Sequence, residues 1–145
     1  MKIEETHSYL LRIREIDCEI TQLNMKCDAI RRSLLLSRTQ YDKPAVQTSH
    51  ENKMGSVTAS VCELNEAIYR LRLRKAELII EIGNVLDLLL DERESAVLTA
   101  YYISGMKMNK IAERIEYTAS HTYRLQAEGV KHLSEILTAS HSKKA

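Results

Sequence analysis

The stretch KMNKIAERIEYTASHTYRLQ, residues 107–126, decides how this chain is read. A short helical pattern sets Ile111, Ala112 and Ile115 on one face, breaks at Glu116 and Tyr117, and restarts at Thr118 with Thr122 and Leu125 on one face. Two short helices crossing at a steep angle bring their backbones close. A small residue is then needed near the crossing, and Ala112 supplies it. The spacing predicts a helix-turn-helix, with helices over roughly 108–115 and 119–137. Val97, Leu98, Tyr101 and Ile103 from the preceding helix, with Val130 and Leu133 beyond, complete its core. That geometry leaves the start of the last helix projecting outward, where such motifs present side chains to the major groove.

Working outward, Asp91 with Glu94 marks a helix start and Gly105 a helix end, bounding a helix of about thirteen residues. Residues 91–137 therefore form the expected helix-turn-helix domain, and the polar run TASHSKKA, 138–145, a flexible tail.

Residues 1–90 read differently. Tyr9, Ile13, Ile16, Ile20, Leu23, Cys27, Ile30 and Leu34 follow spacings of four and three without a slip, which is a heptad seam. A second seam runs through Val57, Val61, Leu64, Ile68, Leu71, Lys75, Leu78, Ile82, Val85 and Leu89, interrupted only by Lys75. Between them TQYDKPAVQTSHENKMGS, 39–56, holds the only proline, Pro44, and Gly55, and predicts a mobile connector. The next helix is expected to start near Ser56 or Ser60, with Ser60 and Glu63 as a capping box. Two seams of matched length predict an antiparallel coiled-coil hairpin. Leu10, Leu11, Leu73, Ile79, Ile80 and Leu88 widen the stripes, so a homodimer or higher oligomer is expected to cover them. Arg70 to Lys75, RLRLRK, reads as charge flanking the seam rather than as a second DNA patch.

Composition agrees with an all-α chain. The 145 residues are 44% hydrophobic and 28% charged, with four Gly and one Pro. Net charge is +1, so any nucleic-acid contact rests on local placement. From Met106 onward seven Lys/Arg face four Glu. Cys18, Cys27 and Cys62 show no CxxC spacing and fit free thiols in the cytoplasm. No run approaches the roughly 18 apolar residues of a membrane span, so no membrane association is expected. The five histidines, His7, His50, His121, His132 and His141, make no metal-ligand spacing. No GxSxG or P-loop is present, so neither an enzyme nor a cofactor is expected. Glu113 and Glu116 belong to a solvated face, and the Tyr101-Tyr102 pair to the core with its hydroxyls partnered.

Residues 90–137, and above all KIAERIEYTASHTYRLQAEGVKHL, resemble region 4 of bacterial sigma factors. Taken with the hairpin and the polar connector, the run VLTAYYISGMKMNKIAERIEYTASHTYRL resembles the sigma-region-4-like phage and prophage regulators related to ArpU and RinA. The match is in register at Tyr117-Thr118 and Thr122-Tyr123-Arg124-Leu125. The resemblance implies a phage-type transcription regulator, an activator, acting on double-stranded DNA and on host RNA polymerase. It implies base reading by Ala119, Ser120, Tyr123 and Arg124, in which Arg124 donates to guanine and the Ala119 methyl touches thymine. Lys107, Lys110, His121 and Lys131 would contact phosphates, and Thr118 would cap the reading helix. The chain departs from that family at Lys107, where Ser or Thr is usual, and at Gly129, where Ala is usual. Two other classes share this architecture: a packaging component resembling a terminase small subunit, and a protein-binding adaptor acting on RNA polymerase.

Overall fold

The computed structural model describes the backbone of residues 2–40 and 47–144, and the side chains of 2–36 and 52–141. The described secondary structure is all helical. It comprises α1 (Ile3–Leu10), α2 (Arg12–Gln40), α3 (Gln47–Leu86), α4 (Glu92–Leu98), a π-helical turn (Thr99–Ile103), α5 (Met108–Ile115) and α6 (Ala119–Lys144). Helices α1 and α2 form one long bent element. The Leu11 N–H still donates to the His7 carbonyl and the Glu15 N–H to the Leu11 carbonyl, both at 3.0 Å. Among the described residues no helix is long and apolar enough to cross a membrane. Contacts divide the chain into two compact units, Ile16–Arg74 on one hand and Met1–Glu15 with Lys75–Ala145 on the other.

In the unit Ile16–Arg74 most of the covered side chains follow the four-three spacing, with Asp17, Asn24 and Ala67 half-buried outside it. Ile16, Ile20, Cys27 and Ile68 are buried, and Leu23, Ile30, Leu34, Val57, Val61, Leu64 and Leu71 are half-buried. Most intervening positions are exposed, Cys18 and Cys62 among them, and all three cysteines are free thiols. The connector expected over 39–56 needs correction. Helix α2 continues to Gln40 and α3 begins at Gln47, ahead of Ser56 and Ser60, which lie inside it. Residues 41–46, with Pro44, lie outside the described residues. Gln47, Glu51, Lys53 and Met54 are good helix formers. Gly55 sits in open space, so it costs the helix about 1 kcal/mol of propensity without terminating it.

The other unit reaches well beyond residues 91–137. Leu10 of α1, Ile13 of α2, and Leu78, Ile82 and Leu86 of α3 are essentially fully buried in it, with Leu89 buried beyond α3. Helix α6 packs against α1, α4 and α5. A core of Val97, Met108, Ile111 and Leu125 is flanked by Ala100, Tyr101, Met106, Ile115 and Tyr117. Leu10 therefore faces inward instead of awaiting a second chain, whereas Ile80 and Leu88 stay exposed. Residues 138–144, expected as a flexible tail, continue α6 as helix.

Asp91 caps α4 by accepting from the Arg93 N–H at 2.9 Å. Glu94 turns inward instead of completing a capping box and is 3% exposed. The helix expected to run regularly to Gly105 changes at Thr99 into a π turn, closed where the Ser104 N–H donates to the Thr99 carbonyl at 3.1 Å. The extra residue per turn rotates the apolar face. Tyr102 becomes fully buried, while Tyr101 and Ile103 are only half-buried. Gly105 ends the element with φ of 68°, a left-handed conformation that glycine adopts freely.

Candidate nucleic-acid interface

Helix α5 ends on a Schellman motif. The Tyr117 N–H donates to the Ala112 carbonyl at 3.1 Å and the Glu116 N–H to the Glu113 carbonyl at 3.4 Å, with Glu116 in the left-handed region at φ 59°. Thr118 follows and caps α6. Its Oγ1 accepts from the His121 N–H at 3.2 Å, and its carbonyl accepts from the Thr122 hydroxyl at 2.9 Å. Three residues therefore separate the two helices, with the start of α6 fixed by side-chain and backbone bonds.

Burial then sorts α6 into two faces. Thr122, Leu125, Gly129, Val130 and Leu133 are buried. Ser120, Tyr123, Arg124, Ala127 and Lys131, which share one face at 3.6 residues per turn, are exposed, as is Ala119. Tyr123 leaves 54% of its surface open. All four residues expected to read bases thus lie exposed in the first turns of α6. The remaining expected residues are less uniform. Lys107 occupies the N-cap position of α5 without a side-chain capping bond, as an ammonium without acceptor capacity must. Lys110 is exposed on α5, and Lys131 lies further along α6 in a shallow groove with Lys2, Ile3 and Glu4 of the α1 end. His121 is half-buried, its ring edge-on to Tyr117 at 4.8 Å. Arg114, also exposed, adds a cation on α5, while Glu113, Glu116 and Glu128 add exposed acids.

Polar contacts that no local pattern announces hold this surface from behind. Arg14 lies with its guanidinium 3.9 Å over the Tyr101 ring and donates to the carbonyls of Tyr101 (3.3 Å) and Met106 (3.2 Å), gripping the segment that enters α5. The buried Tyr102 hydroxyl bonds His7 Nδ1 at 2.6 Å and accepts from Gln126 Nε2 at 3.4 Å, so α1 and α6 meet on one phenol. Burial pushes the Tyr102 phenol above its ordinary range. Arg93 donates to the Tyr117 hydroxyl at 3.3 Å. Glu94 binds His132 Nδ1 with both oxygens at 2.9 Å. Gly129 faces α4, and a Cβ there would stand 3.0 Å from Leu98 Cδ1 and 3.4 Å from the Glu94 Cβ. The sequence marked Gly129 only as a departure from the resembled family. Its place against α4 supplies the reason.

No group of three or more His, Cys, Asp or Glu side chains among the described residues could hold a metal ion. Comparison with known proteins adds no identification: no family model matches the chain, and no curated protein or solved structure is significantly similar to it.

Proposed function

We propose that the chain is a phage-type DNA-binding transcriptional regulator, an activator working in the bacterial cytoplasm, in which α5 and α6 act as a helix-turn-helix. The observation that carries this reading is the two-faced start of α6. Ala119, Ser120, Tyr123 and Arg124 stand exposed immediately after a capped helix N-terminus, while Thr122 and Leu125 anchor the opposite face. The capped N-terminus also favours a phosphate nearby, and Lys107, Lys110 and Lys131 supply cations around it. The covered stripes of Ile16–Arg74 support an antiparallel coiled-coil hairpin, and the exposed apolar residues outside them support a homodimer. The resemblance to sigma-region-4-like regulators makes host RNA polymerase a further partner. No catalytic step is assigned.

Selection of duplexes from a random-sequence pool at low and near-physiological salt tests the reading. One enriched motif is expected, and Arg124→Ala should lower affinity for it by about 1–3 kcal/mol and relax preference at one base pair. Capture at low salt without enrichment would point instead to a packaging component resembling a terminase small subunit. No capture at either salt would leave the chain as an adaptor for a protein such as RNA polymerase.

A further inference from the structure

Within the unit Ile16–Arg74, α3 covers one side through Ile68 and carries two large apolar side chains on another, Tyr69 at 64% and Leu73 at 50% exposed. Helical spacing aligns Cys62, Glu66, Tyr69 and Leu73 along this second face. Asn65, Glu66, Tyr69, Arg70 and Leu73 line an open groove there. The polar residues around it are ordered along the helix, with Asn65 and Glu66 toward the N-terminal end and Arg70 and Arg72 toward the C-terminal end. Within the helix, Glu66 and Arg70 form an ion pair at 3.8 Å between side chains that are 72% and 80% exposed. Such a pair contributes little by itself and is readily exchanged.

We propose that this face of α3 pairs with the same face of a second copy of the chain, the two helices antiparallel about a two-fold axis at the level of Ile68. The axis reverses the helix, so the acidic end of one copy lies over the basic end of the other. Glu66 then meets Arg70 of the second copy, and the contact occurs twice, as an isologous interface requires. Asn65 meets Arg72 of the second copy on the opposite flank. Leu73 packs over Cys62 of the second copy, and the two Tyr69 rings meet near the axis. A parallel pairing would set like charges at the same level, which disfavours it. Each copy contributes few large apolar side chains, so the interface falls below the roughly 800 Å² per partner of a standard complex. The dimer is therefore concentration-dependent, and the paired charges, each met twice across the axis, set its orientation and contribute to its strength. The inference rests on the homodimer of the preceding reading and gives it a specific face. DNA reading by α6 is tested separately by the pool selection.

Two measurements on the full chain test the pairing. In a Cys18→Ser background, Leu73→Cys should form a covalent dimer with Cys62 of a second copy under mild oxidation, and adding Cys62→Ser should abolish the 62–73 product. The two positions cannot bridge within one helix, where they stand about 16 Å apart along the axis. In sedimentation equilibrium, Glu66→Arg and Arg70→Glu should each weaken self-association at least tenfold. Mixed in equal amounts they should restore it, since each variant offers the charge the other lacks, and this rescue excludes misfolding as the cause. Failure of Leu73→Cys to cross-link while the parent chain dimerises would overturn the pairing. So would unchanged self-association of both charge variants, or a chain that stays monomeric at every concentration.

Discussion

The two compact units are held by different kinds of contact. In Ile16–Arg74 the covered residues recur at a helical period, and many of them are only half-buried. In the unit that carries α4 to α6, full burial comes from residues far apart in sequence, and polar side chains tie the N-terminal helix to the segment 101–106. Arg14 grips the carbonyls of Tyr101 and Met106, and His7 meets Tyr102. A periodic pair of helices needs only the right residue every three or four positions. The unit in which Ser120, Tyr123 and Arg124 lie exposed is braced from several directions, and the bent N-terminal helix provides part of that bracing.

The contrast breaks most sharply on leucine truncation. Leu10→Ala removes a side chain that is 0% exposed and should cost about 2–5 kcal/mol in chemical denaturation of the unit it is buried in. Leu23→Ala, at a half-buried seam position, should cost about half as much or less. Equal losses would show that the two units are packed alike.

Two glycines sharpen the same point with opposite signs. Gly129→Ala gains about 1 kcal/mol of helix propensity but forces a Cβ to within 3.0 Å of the buried Leu98, and overpacking of that kind costs about 1–3 kcal/mol. Net destabilisation is expected. Gly55→Ala, with nothing within 4 Å, should stabilise its helix by about 0.5–1 kcal/mol. A stabilising Gly129→Ala would mean that α4 and α6 have room to spare.

Legibility in the sequence follows the same division. Much of each heptad stripe is covered, because a period of alternating fours and threes can be read without knowing what lies opposite, but the fully buried Leu10 and Leu86 lie off the stripes, whose Tyr9 and Val85 are only half-buried. The break at Glu116, the cap at Thr118 and the exposed positions 119, 120, 123 and 124 were equally local and equally readable. The start of α3 was not, because Gly55 and a polar run resemble a loop when no packing information opposes them. Nor was the π turn at Thr99–Ile103, whose single extra residue exchanges Tyr101 for Tyr102 in the core. Arg14, His7 and the Glu94–His132 pair act across 38 to 95 residues of chain, and no spacing rule spans that distance.

A smaller change acts on the α5–α6 turn alone. Glu116 holds a left-handed conformation that costs a side-chain-bearing residue about 1 kcal/mol, so Glu116→Gly should raise stability by up to that amount. Thermal unfolding of the variant checks this, and a lowered midpoint would show that the Glu116 side chain makes a contribution beyond the turn.

The smallest effect concerns His132. Its bond to Glu94 is the main cause holding the imidazole above its ordinary pKa, with the nearby Glu135 and Glu128 carboxylates adding to it and desolvation opposing. The His132 side chain is 50% exposed, so solvent screens the pair, whereas Glu94 at 4% has little access to water. A group whose folded pKa is raised contributes stability that is complete below its unfolded value, about 6.5 for histidine, and lost as pH rises through the folded value. Stability should therefore decline slightly from about pH 6 to about pH 8, whereas His132→Gln should lack that component because glutamine does not titrate. Denaturation midpoints of the two proteins at both pH values isolate the difference. Parallel pH dependence would mean that the Glu94 carboxylate holds its place without the imidazolium charge, and the contact across α4 and α6 would then be steric, through Gly129 and Leu98.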